Sequence, residues 1–350
     1  MSFSPFEHPV LGGLFGDVEI AELFSAEADV AAMLRFETAL AAAQASAGII
    51  SEGEAASISQ GLAKVDIDYA ALRNGVAKDG VVIPELVRQL RAAVEKTVAP
   101  KVHFGATSQD VIDTSLMLRL KAAAFILGTR LSSCIAGMEG LIKRDGSKPL
   151  MGYTRMQAAI PITVADRVVS WQAPLCRHEE RLHLLLEKNF AIQLGGAAGT
   201  LDSLGDKAAD VRAELARRLD LAESVQWHSQ RDGIADFAHF LTLVTGTLGK
   251  FGQDIALLAQ TGSGIRLSGG GGSSAMPHKQ NPVVAETLVA LARFNAVQVS
   301  AIHQAMVHEQ ERSGAAWMLE WLVLPQMVAA TGSALLSAER LILQIEALGS

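Results

Sequence analysis

Residues 269–286 read Gly-Gly-Gly-Gly-Ser-Ser-Ala-Met-Pro-His-Lys-Gln-Asn-Pro-Val-Val-Ala-Glu. Four consecutive glycines oppose a helix or a central strand, because glycine loses more backbone entropy on ordering than any other residue. The stretch reads as a hinged loop that brings hydroxyls, a fixed cation and an amide to one place. A serine can move a proton only where a cation and backbone donors stabilise its alkoxide. A loop serine with Lys279 as the cation meets that need. Lys279 and Asn281 can also hold a carboxylate, while His278 can be a base or simply face solvent. Gly-Ser runs are ordinarily linkers. Here both flanks are strongly apolar helical patterns with no change of domain, which favours an active-site lid.

Two further polar stretches carry candidate groups. Residues 103–109 read His-Phe-Gly-Ala-Thr-Ser-Gln directly before a long helical pattern. Thr107 and Ser108 there can serve as an ordinary N-cap, or can bind a carboxylate with the free N–H groups of the helix start. Residues 152–163 read as a loop offering Thr154, Arg155 and Gln157. Its arginine suits bidentate carboxylate recognition, although taken alone a loop arginine reads first as a solvated surface charge.

The elements that must position these loops are long helices. Phe237, Leu241, Val244, Leu248, Phe251, Ile255 and Leu258 recur at steps of four and three, as in a coiled-coil seam. The same pattern predicts helices over about 110–143, 164–189, 207–219 and 283–310, and one that starts after the Trp317–Leu324 segment and runs to about 348. Asp110 and Asp113 favour the N-terminal turn of the first of these. At ~1.5 Å per residue the longest reach about 40 Å. Shorter helices are expected over 52–62, 69–77 and 85–98, after a capped helix that begins near Ser25 or Asp29. The organisation predicted is a helical domain over 1–100 and a long-helix bundle over 101–350.

Composition agrees with an all-α chain: 350 residues, 49% hydrophobic but only 5% aromatic, with net charge −7. That charge argues against a nucleic-acid partner. Cys134 and Cys176 have no metal-ligand spacing and are expected as reduced thiols. No signal peptide and no run of 18 apolar residues is seen, so a cytoplasmic protein without membrane contact is expected. A single slender bundle this apolar would expose an association surface, which predicts a homo-oligomer. Loops at alternate ends of an up-down bundle do not all meet within one chain. If they share a site, different subunits supply them.

At these loops the sequence resembles the fumarase/aspartase superfamily. Gly272-Ser273-Ser274-Ala275-Met276-Pro277-His278-Lys279-Gln280-Asn281-Pro282 matches the family signature apart from one spacer residue. Thr107-Ser108-Gln109-Asp110 and Gly152-Tyr153-Thr154-Arg155-Met156-Gln157 match its two other regions. The resemblance implies a five-helix central bundle, four subunits joined in a twenty-helix core, and sites built by loops from three subunits. It implies Ser273 as the proton-transferring residue, with Lys279 and Asn281 on a substrate carboxylate and Glu286 as the acid that normally pairs with a family histidine. That histidine is replaced by Arg155. An acid there matters most where a poor leaving group departs, whereas a carboxylate needs no such help.

The departure points to the lactone-forming branch of the family, which acts on a carboxymuconate in protocatechuate breakdown (the β-ketoadipate pathway). Leu34-Arg35-Phe36-Glu37, residues 195–201 and Trp227-His228-Ser229-Gln230-Arg231-Asp232 look like that branch. Its substrate is a tricarboxylate, so several cations are required. Arg155, Lys279 and Arg312 are the candidates, with His103, His228 and His278 behind them. An ion pair with Glu309 is the rival role for Arg312. No metal or organic cofactor is implied. The family's C-terminal helical domain is expected to be largely absent from a chain ending at Ser350. An amine-eliminating enzyme of the adenylosuccinate lyase kind is the alternative.

Overall fold

The structure is a computed structural model that describes residues 4–272, 275–276 and 280–349. Its N-terminal part is built from α1 (Gly12–Phe15), α2 (Val18–Leu23), α3 (Ala26–Ser46), α4 (Glu52–Leu62), α5 (Tyr69–Asp79) and α6 (Ile83–Ala92). Side chains start these helices: the Ala28 N–H donates to Ser25 Oγ at 3.1 Å, and Ser51 with Glu54 closes a reciprocal capping box. The sixth helix ends at Ala92, short of the predicted 98, and Ala93 caps it through carbonyls of the last turn.

Five long helices follow. They are α7 (Ser108–Asp145), α8 (Val164–Lys188), α10 (Asp232–Thr261), α11 (Val283–Ala305) and α12 (Ala315–Gln344), with α9 (Ala208–Leu219) packed outside them against α3. Successive long helices run up and down and pack as neighbours, with α12 closing back onto α7. The predicted seam is the core: Phe237, Leu241, Val244, Leu248, Phe251, Ile255 and Leu258 are all buried. α10 and α11 approach closely because Gly249 and Gly252 lack side chains. A Cβ at Gly249 would lie 2.4 Å from the Ala292 Cβ, and one at Gly252 would lie 2.5 Å from the Ala285 carbonyl oxygen. Buried Asn295 donates to Thr331 Oγ1 at 3.0 Å, fixing the register of α11 against α12.

Residues 152–163 are not a loop. β1 (Pro149–Thr154) and β2 (Gln157–Thr163) form an antiparallel hairpin, with Thr154 opposite Gln157. Arg155 and Met156 turn it with φ of 47° and 66°, the positive values that a two-residue hairpin turn demands. A second small sheet pairs β3 (Ile265–Leu267) with β4 (Ile345–Leu348). The Trp317–Leu324 segment belongs to the last helix, and α11 stops five residues before the predicted end, at Ala305. Among the described residues, two helices are long and apolar enough by average composition to pass for membrane spans, although neither holds an unbroken run of 18 apolar residues. In α12 67% of the relevant window is buried in the fold, against only 28% in α11. The first is therefore a core helix, and the second presents an open apolar face.

Candidate active site

One end of the bundle gathers the starts of α7, α10 and α12. Thr107 stands before α7, and Asp110 lies in its first turn with no solvent exposure. The Asp110 carboxylate accepts the N–H groups of Thr107, Gly195 and Gly196, each at 2.9 Å, and lies 2.8 Å from His228 Nε2. It thus ties the Thr107 turn, the glycine turn at 195–196 and the His228 loop into one unit. Arg312 completes the unit from the α11–α12 connection. Its guanidinium donates to Thr107 Oγ1 at 3.1 Å and to the carbonyls of Gly196 and Ala197 at 3.2 and 3.0 Å.

Among the described residues no carboxylate pairs with Arg312, so the rival ion pair with Glu309 does not form. Ser108 opens α7, half-buried beside this unit. His103 precedes it in a left-handed backbone conformation, φ 64°, with Nδ1 2.6 Å from Glu37 Oε1. Burial pulls the His103 imidazole down, but the Glu37 carboxylate more than offsets this and holds its pKa above the usual value. His228 is buried against Asp110 and does not reach solvent.

Beneath this unit lies a cluster of charges that sequence reasoning missed. Arg231 is 2% exposed and donates to Asp113 at 2.7 and 3.1 Å and to Glu320 at 2.9 and 2.5 Å. Trp317 Nε1 and Gln109 Nε2 donate to the same Asp113 carboxylate, at 3.0 and 3.1 Å. Burial disfavours the Arg231 charge, yet Asp113 and Glu320 hold its pKa above the ordinary arginine value. The guanidinium also stacks on Trp227, 4.7 Å from the ring centre. From sequence, Asp110 and Asp113 read as charges complementing a helix dipole. Apart from Thr107 and Gln109, their partners lie 85 to 204 residues away along the chain, and only the buried position of the aspartates would have signalled them.

The other candidates sit at the opposite end. Arg155 and Gln157 are exposed at the hairpin tip. With Tyr153, Arg167, Lys250 and Asp254 the tip lines an open cavity of 600 Å³ over the last turns of α10. Asn281 exchanges two backbone hydrogen bonds with Gly271, both 2.9 Å, just before α11. Glu286 is exposed in the first turn of that helix. Ser273, Lys279 and His278 lie outside the described residues, as does Ser274. α10 has 30 residues, so its ends are about 45 Å apart. A single chain thus brings Thr107, Ser108, His103 and Arg312 together. It holds Arg155, Gln157 and Asn281 a bundle length away.

A profile of the lyase family matches residues 18–299. A 3-carboxy-cis,cis-muconate cycloisomerase of Pseudomonas aeruginosa is 39% identical over 324 residues, covering 90% of this chain and 71% of that protein. One of Acinetobacter baylyi is 36% identical over 334 residues, covering 92% and 74%. A nitrosuccinate lyase of Streptomyces davaonensis is 35% identical over 330 residues, covering 89% and 69%. The crystal structure of the 3-carboxy-cis,cis-muconate lactonizing enzyme from Pseudomonas putida superposes with a TM-score of 0.90 at 35% identity, covering 97% of this chain and 77% of the other.

Proposed function

The chain belongs to the lyase family of the fumarase/aspartase superfamily, and from that premise we propose that it is a cytoplasmic 3-carboxy-cis,cis-muconate cycloisomerase. The observation that carries the reading is Arg155. A permanent cation stands at the exposed tip of the hairpin, where the family pattern has a proton-donating histidine. A guanidinium cannot protonate a leaving group, but it holds a carboxylate by two parallel hydrogen bonds. Chemistry that needs a bound anion and no acid at this point is addition of a substrate carboxylate to its own double bond. Relatives at 36–39% identity bear the name of that activity.

In the proposed reaction a carboxylate oxygen attacks the conjugated alkene and closes a five-membered lactone. The electron pair moves to the carbon beside another carboxylate, forming an enediolate-like anion. Lys279 and loop amides stabilise this charge, and Ser273 delivers the proton to carbon. Arg312, Thr107 and Ser108 bind a second carboxylate at the start of α7. Arg155 and Asn281 reach the same substrate from neighbouring subunits of a homotetramer, which is how two sets of residues at opposite ends of one chain come to serve one site. The open face of α11 supports such an association.

The test is incubation with 3-carboxy-cis,cis-muconate, following loss of diene absorbance and appearance of the lactone by proton NMR. Absence of lactone rejects the reading. A β-elimination of the adenylosuccinate lyase kind is the second reading, favoured by the 35% identity to a nitrosuccinate lyase. Turnover of adenylosuccinate, with none of the muconate, would select it.

A further inference from the structure

The cavity at the hairpin tip holds a second cation with no role so far. Arg155 lines the 600 Å³ space from the tip, and Arg167, the fourth residue of α8, lines it from the helix. Thr163 fixes this first turn. Its Oγ1 accepts the Asp166 N–H at 3.1 Å, and the Asp166 carboxylate accepts the Thr163 N–H and hydroxyl at 2.8 and 2.7 Å. Asp166 is thereby engaged by its cap, and Arg167 makes no ion pair among the described residues. The Arg167 side chain is half-buried, but none of its nitrogens is both sealed and unpartnered, so the guanidinium is open to solvent. The macrodipole disfavours a cation this close to the start of a helix, and no described carboxylate offsets that here.

The rest of the wall specifies the anion. Lys250 and Asp254 pair with each other, and Asp254 also accepts the Trp171 indole N–H at 2.7 Å. Among the described residues no other acid lines the cavity. Arg155, Arg167 and Lys250 set against Asp254 leave two uncompensated positive charges, in a chain whose net charge is −7. Such a local excess of one sign in a cleft focuses the field and draws anions in. The remaining wall is largely carbon, from Tyr153, Met156, Leu257 and Leu258. A ligand with separated carboxylates on an apolar carbon chain matches both kinds of surface.

We propose that Arg167 is a substrate-binding residue that works with Arg155 as a two-carboxylate clamp, and that it makes the site prefer a tricarboxylate to a dicarboxylate. The inference rests on the reading of Arg155 as a carboxylate holder and names the group that discriminates at the same site. Arg155 takes one carboxylate, and Arg167 takes a second on the same carbon chain. Both cations come from one chain, so the clamp enters a shared site as a unit. A ligand that lacks the extra carboxylate fills the cavity but leaves the Arg167 guanidinium unpaired, and so loses affinity.

Propane-1,2,3-tricarboxylate and pentanedioate share one carbon chain and differ by a single carboxylate. Titrated calorimetrically into the wild-type protein, the tricarboxylate should bind about tenfold more tightly, the factor one charge-assisted hydrogen bond provides. In Arg167→Gln the two should bind within about twofold of each other, with pentanedioate nearly unchanged, which also shows that the variant is folded. Arg167→Lys keeps the charge and should keep most of the preference. With 3-carboxy-cis,cis-muconate, Arg167→Gln should raise KM about tenfold at nearly constant kcat. The proposal is overturned if wild type binds neither probe or both alike, if the preference survives in Arg167→Gln, or if that variant loses both probes equally. A wild type that shows the preference yet forms no lactone would reject the cycloisomerase reading and leave the clamp standing.

Discussion

Arg155 and His103 both present cations, yet their surroundings give them different roles. Arg155 is exposed at a tight turn and has no ion-pair partner among the described residues. Arg155→Leu should therefore remove uniform binding of a substrate carboxylate, raising KM at least tenfold with kcat nearly unchanged. Steady-state kinetics on the muconate decide it, and a pure loss of kcat would place Arg155 in the chemical step instead. His103 is engaged by Glu37, and its raised pKa carries a stability prediction. The protonated pair stabilises the fold fully below about pH 6.5, the free-histidine value, and the contribution is lost as pH rises through the higher folded value. In urea denaturation, His103→Gln should lie well below wild type at pH 6. The gap should shrink by pH 9, where both chains lack the imidazolium. A gap that does not change with pH would mean that the histidine acts by packing alone.

The elements make the candidate site by where they begin. α7, α10 and α12 start side by side, and Arg231 joins Asp113 of the first to Glu320 of the last. Replacing a buried pair's cation strands both carboxylates. Arg231→Met should cost about 3–5 kcal/mol, read as a fall in the urea midpoint. The triple change Arg231→Met, Asp113→Leu, Glu320→Leu should recover much of it. If the single variant is as stable as wild type, the cluster does not hold these helix starts together.

The long helices were legible because seam residues such as Phe237 and Ile255 recur every three or four positions, and packing rewards that period directly. The hairpin was not. Its turn is Arg-Met rather than Asn-Gly or Asp-Gly, and Pro161 interrupts its second strand, so neither turn chemistry nor strand pattern announced it. The Asp110 and Arg231 networks were hidden for another reason. Nothing local distinguishes an aspartate that complements a helix dipole from one that also binds two backbone amides of a distant segment, Gly195 and Gly196.

If the candidates serve one substrate, the whole molecule must bring together residues that lie a bundle length apart in one chain. Thr107, before the start of α7, and Asn281, before the start of α11, lie at opposite ends of the bundle, and Ser273 is eight residues before Asn281 in the sequence. If each site combines ends from different subunits, a defect at one end can be rescued by a neighbour that is intact there. Thr107→Val and Ser273→Ala should each be nearly inactive alone, with the oligomer preserved in both. In a randomly reassembled one-to-one mixture, a site works only when its Thr107 comes from the serine variant and its Ser273 from the threonine variant. Each condition holds for half the subunits, so about a quarter of wild-type activity should return if closed symmetric tetramers exchange freely. Denaturing the two variants together and refolding them before assay would measure it. Recovery near a quarter requires sites shared between chains. No recovery from a mixture whose mixed oligomers are confirmed by mass spectrometry would mean that each chain builds its site from its own residues. The 45 Å length of α10 would then have to be bridged by rearrangement within one chain.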